Sequence, residues 1–265
     1  MNRKLQISLA FFLLLIFSPT RPCRADVSIS VSPIRVEHFG KSGEKGTEMI
    51  SVINGGSAPT RLKVSVEDWI LTKEGTTSIE IPAGALYSCA PWIRVNPIDF
   101  RISPGQTREV RYTITIPEGT PEGGYRAAIV FETVPEVVPG EKMGRVFVRG
   151  RIATILYAVV GKPVPQGHAN SLKVEFKKDG VDFTLALQNT GKVHYRTKGS
   201  ITASDSNGQK VFEVEIPDVP VLPQSEREIN IRYDKPIPKG KYTALAAVDI
   251  GVPELIGAEA TFTVE

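Results

Sequence analysis

The stretch Ile102-Ser-Pro104-Gly-Gln106-Thr-Arg108-Glu109-Val110, followed by Ile116-Pro117 and then Gly124-Tyr125-Arg-Ala127, occurs twice in this chain. Its second copy reads Val221-Leu-Pro223-Gln224-Ser-Glu-Arg227-Glu228-Ile229, then Ile237-Pro238, then Gly240-Lys-Tyr242-Thr-Ala244. Upstream of each lies a matching turn, Ile53-Asn54-Gly55-Gly56 and Leu187-Gln-Asn189-Thr-Gly191. In each copy a proline turn opens one apolar-alternating run and a Gly–Tyr step opens the next. Period-two alternation rich in Val, Ile, Thr and Phe reads as half-buried antiparallel strands. A tyrosine at the start of a late strand buries its ring and returns its hydroxyl to the backbone, as at the tyrosine corner of immunoglobulin-like sandwiches. Tyr125 and Tyr242 are therefore read as structural.

The same patterning continues outward. Val27–Val36, Glu48–Ile53, Leu62–Val66, Val110–Ile116, Tyr125–Thr133, Asp182–Leu187, Glu228–Tyr233 and Tyr242–Ile250 alternate in short runs separated by turn residues. No segment beyond the first 25 residues holds a helical period. The fold class is all-β, with two immunoglobulin-like β-sandwich domains in tandem. A length of 265 residues suits two such units, and 23 glycines with 20 prolines supply their turns. The expected organisation is a signal peptide over 1–25, an N-terminal domain over 26–160, a Pro/Gly-rich linker over 161–170 and a C-terminal domain over 171–265. Asn54 and Pro104 lie 50 positions apart but Asn189 and Pro223 only 34, so the first copy carries 16 more residues. They fall near Thr72–Pro91 and predict an added edge strand at Thr77–Ile81, with a loop.

The start of the chain reads as an export signal. Arg3 and Lys4 precede the unbroken apolar run Leu9–Phe17, which is too short for the roughly 20 residues of a membrane span. Cleavage after Ala25 leaves Cys89 as the lone cysteine, read as a buried small hydrophobe. It also removes Arg3, Lys4, Arg21 and Arg24. The formal charge of +3 then becomes −1, so the apparent basicity belongs to the leader. No later stretch is long and apolar enough to span a membrane, and the expected location is the periplasm.

Motifs for chemistry are sparse. There is no HExxH, no CxxC and no Gly-x-Ser-x-Gly, and no phosphate-binding glycine loop. No metal site, cofactor or enzymatic activity is expected. His38, His168 and His194 sit apart in turn-like surroundings and are read as surface residues, and Glu67-Asp68 as part of a solvated face. Basic residues are dispersed rather than striped, which gives no nucleic-acid surface. The densest group, Arg145, Arg149 and Arg151, projects to one face of a strand. That face is either simply solvated or an anchor for a carboxylate.

The longest strand candidate is Met143–Val160, MGRVFVRGRIATILYAVV. Val146, Val148, Ile152, Leu156 and Val160 form one apolar face, while Phe147, Ile155, Tyr157 and Val159 put apolar groups on the other. A strand apolar on both faces needs cover on both. Either the second domain or a loop supplies it, or the first half is an edge offered to a partner by strand addition.

Several of these pieces resemble the periplasmic pilus-assembly chaperones of the chaperone–usher pathway. They are Val31-Ser-Pro33-Ile-Arg35-Val36, Ile53-Asn54-Gly55, Trp92-Ile-Arg-Val-Asn-Pro97, and Phe100-Arg-Ile-Ser-Pro-Gly105-Gln106 leading to Val110-Arg111. The resemblance covers roughly residues 27–160 and is most specific over Asp99–Arg111. It implies a non-enzymatic protein that lends a strand to pilin-like or other exported subunits, with an outer-membrane usher as a further partner. It also implies two cleft cations that bind the subunit's C-terminal carboxylate. Arg35 matches the first. The second is a lysine in the family and falls here on Ala153, with Arg151 two residues away. The subunit-binding set is then Arg35, Arg149, Arg151, Val146, Phe147 and Val148. The alternative is an envelope scaffold or adhesive module that binds glycan or protein through loops such as 72–91.

Overall fold

Alternating apolar residues commit the chain to sheets, and the prolines decide where one sheet gives way to another. The computed structural model of the chain describes residues 28–81, 87–135, 149–177 and 179–264. In the first half the strands are β1 (Ile29–Ser32), β2 (Arg35–Gly40), β3 (Lys45–Asn54), β4 (Thr60–Leu71), β5 (Thr77–Ile81), β6 (Ile93–Asn96), β7 (Asp99–Ile102), β8 (Thr107–Thr115), β9 (Gly123–Val134) and β10 (Arg151–Val160). One sheet has the order β1-β3-β8-β6. The other runs β2-β10-β9-β4-β5, with β7 also beside β4. β5 is the edge strand expected at Thr77–Ile81.

The second half holds β11 (Gly167–Lys177), β12 (Gly180–Asn189), β13 (Tyr195–Arg196), β14 (Lys198–Asp205), β15 (Lys210–Glu215), β16 (Pro220–Val221), β17 (Glu226–Tyr233), β18 (Gly240–Asp249) and β19 (Ile256–Val264). They form sheets β11-β12-β17 and β15-β14-β18-β19, with the short pair β13-β16 between. Each half closes on its own core. One gathers Ile50, Leu62, Val110, Phe131 and Leu156; the other gathers Phe183, Leu185, Ile201, Ile229 and Ala244. The chain is two β-sandwiches in tandem. β11 begins at Gly167, inside the span expected as linker.

The repeated motifs do the same work in both sandwiches. The Nδ2 of Asn54 donates to the carbonyls of Ala58 (2.9 Å) and Ile102 (3.0 Å), and its Oδ1 accepts from Gly56 N–H. The Nδ2 of Asn189 donates to Val193 (2.9 Å) and Val221 (3.0 Å), and its Oδ1 accepts from Gly191 N–H. Both asparagines are fully buried. Each ties a strand end to the turn after it and to the strand that enters the proline turn. Tyr125 donates its hydroxyl to Pro121 O at 3.0 Å and Tyr242 to Pro238 O at 2.7 Å, the return to the backbone expected of both. The proline turns place Gly105 and Gln224 at the same position with positive φ, +70° and +55°. Gln224 stays there while its amide donates to Thr190 O and Gly191 O.

Two readings of strand length change. The run Val27–Val36 is two strands. Pro33 has no N–H to continue a ladder, and on either side of it the chain joins opposite sheets: β1 pairs with β3, and β2 pairs in parallel with β10. The run Met143–Val160 is a described strand only from Arg151. Residues 141–148, including Val146, Phe147 and Val148, lie outside the described residues, as do residues 1–25 of the expected signal peptide.

Candidate functional site: a strand edge beside the interdomain cleft

β10 has two sides, one paired throughout and the other paired by described strands only in part. Against β9 it pairs along its whole length, from Arg151↔Glu132 to Val160↔Gly123. Thr133 N–H donates to Gly150 O, so the even residues of this ladder bond toward β9. The odd residues bond the other way, as Ile155 N–H does to Ile34 O. β2 covers that side only from Ile155 onward. The N–H and C=O groups of Ala153 therefore face an edge that no described strand pairs. Thr154 marks the end of the gap, its hydroxyl donating to Pro33 O at 2.8 Å.

The two faces of β10 are both covered from Ile155 on. Leu156 and Ala158 enter the first core. Tyr157 turns outward into a second cluster with Trp69, Ala128 and Val130. That cluster is closed by Leu222 of the second sandwich, so the second domain supplies the cover. Beside it a cleft of about 690 Å³ separates the sandwiches. Trp69, Leu71, Ile155 and Tyr157 line it from the first sandwich, Pro33 to Arg35 run along its rim, and Arg196 and Pro220 close it from the second. A smaller cavity of about 420 Å³ adjoins it and shares both arginines, with Glu37, His194, Lys198, Asp218 and Asp249 around them.

The candidate cations separate into two groups. Arg35 lies at the rim of the cleft, its side chain 42% exposed and its Nε 3.9 Å from Glu37. Arg151 sits elsewhere. Arg35 is level with Ile155, four residues along β10, which is about 13 Å of strand. The guanidinium of Arg151 pairs with Glu67 at 2.6 Å and with Glu132 at 3.5 Å. Arg149, 71% exposed, also pairs with Glu132, at 3.4 Å. Arg35 and Arg151 are thus not brought together. The position that carries lysine in the resembled family, Ala153, packs against the Trp69 cluster. Arg196 was not anticipated from sequence. It lies in the second sandwich, held by Asp218 Oδ1 and O at 2.6 Å each, and no local motif marks it. Only the docking of one sandwich on the other brings it to the cleft.

His194 is a correction to the surface reading. It is 8% exposed, stacks on Tyr157 with ring centroids 4.0 Å apart, and holds Nε2 3.8 Å from Glu37. Burial lowers its pKa, with nearby Arg196 and Arg35 acting in the same direction and Glu37 opposing. In the unfolded chain His194 takes up a proton near pH 6.5; in the folded chain it does so only at lower pH. Its contribution to stability is therefore complete above pH 6.5 and falls as the pH drops from there toward the folded-state value. Urea titrations from pH 7.5 to pH 5 should show this loss in wild type. His194→Gln should flatten it.

Asp68 is likewise buried rather than solvated, and takes a short hydrogen bond from Ser88 Oγ. Arg126 lies over Trp69, 5.8 Å from its ring, with Nε donating to Trp69 O. Cys89 is fully buried, as expected of a small hydrophobe, and burial raises its thiol pKa far above the ordinary range. Among the described residues no group of three His, Cys, Asp or Glu side chains is placed to hold a metal, and no helix is long and apolar enough to cross a membrane.

No family model matches the chain, and no curated protein matches it. Solved structures similar to it include fimbrial and pilus chaperones. A class 5 fimbriae chaperone, CfaA, shares 14% identity over 90% of this chain and 100% of its own, with a TM-score of 0.47. The Escherichia coli chaperone DraB shares 19% over 90% and 96%, with a TM-score of 0.42. A Salmonella enterica structure of the SafA pilin with the SafB chaperone gives 13% over 90% and 97%, with a TM-score of 0.43.

Proposed function

We propose that this protein is an exported, periplasmic chaperone-like binder of fimbrial or other surface subunits, acting by strand addition and not by catalysis. The observation that carries this reading is the side of β10 at Ala153 that no described strand pairs, which ends beside an apolar cleft at Arg35. Main-chain groups on that edge supply affinity, and alternate side chains supply selectivity. The direction of the added strand follows from β2. A strand that continues the line of β2 runs parallel to β10, and its C-terminal end arrives at Pro33–Arg35. An antiparallel strand would bring an N-terminal ammonium there instead. The positive charge of Arg35 favours the carboxylate.

An adhesive reading through loops 72–91 has less to draw on, because Thr72–Thr76 is engaged with the second sandwich. The test is co-purification of the chain from the cell envelope with its subunit. Arg35→Ala is expected to cut recovery at least about tenfold, the 1.5–3 kcal/mol of a charged hydrogen bond, and Arg35→Glu to cut it further. Val146→Asp should weaken it as well. Unchanged recovery with all three would refute the proposal.

A further inference from the structure

The sandwiches touch at a second place, away from the Tyr157–His194 stack. After β4 ends at Leu71 the chain turns back through Thr72–Thr76 into β5. Thr72 N–H donates to Thr76 O at 2.9 Å, Gly75 N–H to Thr72 O at 3.0 Å, and Thr76 N–H to Thr72 Oγ1 at 3.2 Å. This closed turn presents the Lys73 carbonyl to the second sandwich. That carbonyl accepts from Glu228 N–H at 2.7 Å and from Arg227 Nη1 at 2.9 Å. Lys73 Nζ lies 3.3 Å from Glu228 Oε1.

Glu228 belongs to β17, the end strand of its sheet, and its N–H points away from β12. The hairpin thus caps a free edge of the other sandwich. Arg227 is fitted to the hairpin rather than laid beside it. A Cβ on Gly75 would fall 2.0 Å from Arg227 Nη2, and Gly75 has φ +95°, a conformation side chains rarely adopt. Arg227 Nη1 also donates to Glu228 O at 2.8 Å, which fixes the guanidinium relative to its own strand.

We infer that the Thr72–Thr76 hairpin is an interdomain strap that fixes the angle between the sandwiches and so the width of the cleft, with Arg227 as its positioning residue. Docked sandwiches joined by a short connection move relative to each other unless their interface is large. One contact patch leaves an axis of rotation through itself. The patch here is Leu222 and His194 against Tyr157, Trp69 and Glu37, with Gly124 N–H donating to Lys192 O at 2.7 Å beside them. The strap attaches four residues beyond Trp69, off that patch, and two separated attachments remove the free rotation. Leu71 and Thr77, the residues flanking the strap, both line the cleft. A change in strap geometry is therefore a change in the cleft wall.

The test uses the full chain without any partner, so it is independent of the proposed binding role. Residual dipolar couplings are measured for backbone amides in both sandwiches. In wild type both should report one alignment tensor. In Arg227→Ala, and separately in Gly75→Ala, the tensor of the second sandwich should shrink relative to the first by about twofold or more, as independent domains do. Arg227→Lys should recover part of the coupling, since an ammonium still reaches the Lys73 carbonyl. Good fits within each sandwich show that both remain folded. If one variant fails to fold, the other decides. A single shared tensor in the folded variants overturns the inference.

Discussion

Ala153→Pro is expected to weaken partner binding strongly while leaving the protein folded. The N–H of Ala153 points to the side of β10 that no described strand pairs there, because the even residues of this strand bond to β9 and the odd ones bond away from it. Proline is tolerated where a strand's N–H faces no ladder partner. The substitution removes one outward donor and puts a ring in the path of an incoming strand. Leaving the partner's acceptor unpaired in the joined sheet costs about 2–3 kcal/mol, a 30- to 150-fold loss of affinity. The thermal midpoint should move little. Ile152→Pro is the contrasting variant. Its N–H belongs to the β9 ladder opposite Phe131, so it should lower stability by about 3 kcal/mol. Calorimetric titration with the subunit, paired with thermal melts, separates the two effects. If Ala153→Pro binds like wild type, the partner does not use this edge.

Asn54→Leu and Asn189→Leu are expected to be the most damaging substitutions of similar volume in their respective sandwiches. Each asparagine satisfies two carbonyls and one N–H from a fully buried position. Leucine fills the space but removes all three hydrogen bonds, leaving Ala58 O only Thr60 Oγ1 at 3.3 Å and Gly191 N–H only Gln166 O at 3.2 Å. At about 1–3 kcal/mol for each buried orphan, the loss is on the order of 3 kcal/mol or more. Asn→Asp at the same sites should be as harmful, since a carboxylate would face two carbonyl oxygens. Denaturation followed by amide exchange should localise each effect: Asn54→Leu in β3 and β7, Asn189→Leu in β12 and β16. Asn189→Leu should also loosen the residues next to His194, because Val193 O is one of its acceptors. Loss spread evenly over both sandwiches would show that the networks do not act locally.

These asparagines and the two tyrosines are legible as a repeat in the sequence. The reason is physical. Both devices link a side chain to backbone groups two to four residues away, and each asparagine also reaches the strand that enters the proline turn, at matching offsets in the two copies. The strands around them, built on a two-residue period, were legible for the same reason. The Val27–Val36 run was misread because alternation does not reveal which sheet a strand joins. Pro33 was visible, but the partners β3 and β10 were not. His194, Asp68 and Arg196 are misplaced or missed because their surroundings come from other strands: Asp68 is covered beside Ser88, His194 is buried against Tyr157 and Glu37, and Arg196 reaches the cleft only when the sandwiches dock. Arg151 looked like an available cation in sequence. Its carboxylate partners lie 84 residues upstream, on β4, and on the neighbouring strand β9.

The face that carries Trp69 and Tyr157 also has a history in time. Domains fold largely as units, the N-terminal one first, and each sandwich here has its own core and its own corner locks. All-β topologies with distant pairings take milliseconds to seconds to form. The residues that seal Trp69 and Tyr157, His194 and Leu222, come later in the chain than everything they cover. During that interval the first sandwich stands complete with a sticky aromatic flank. The interval ends only when the second sandwich has folded onto it, which makes the half of the molecule made last the guardian of the half made first.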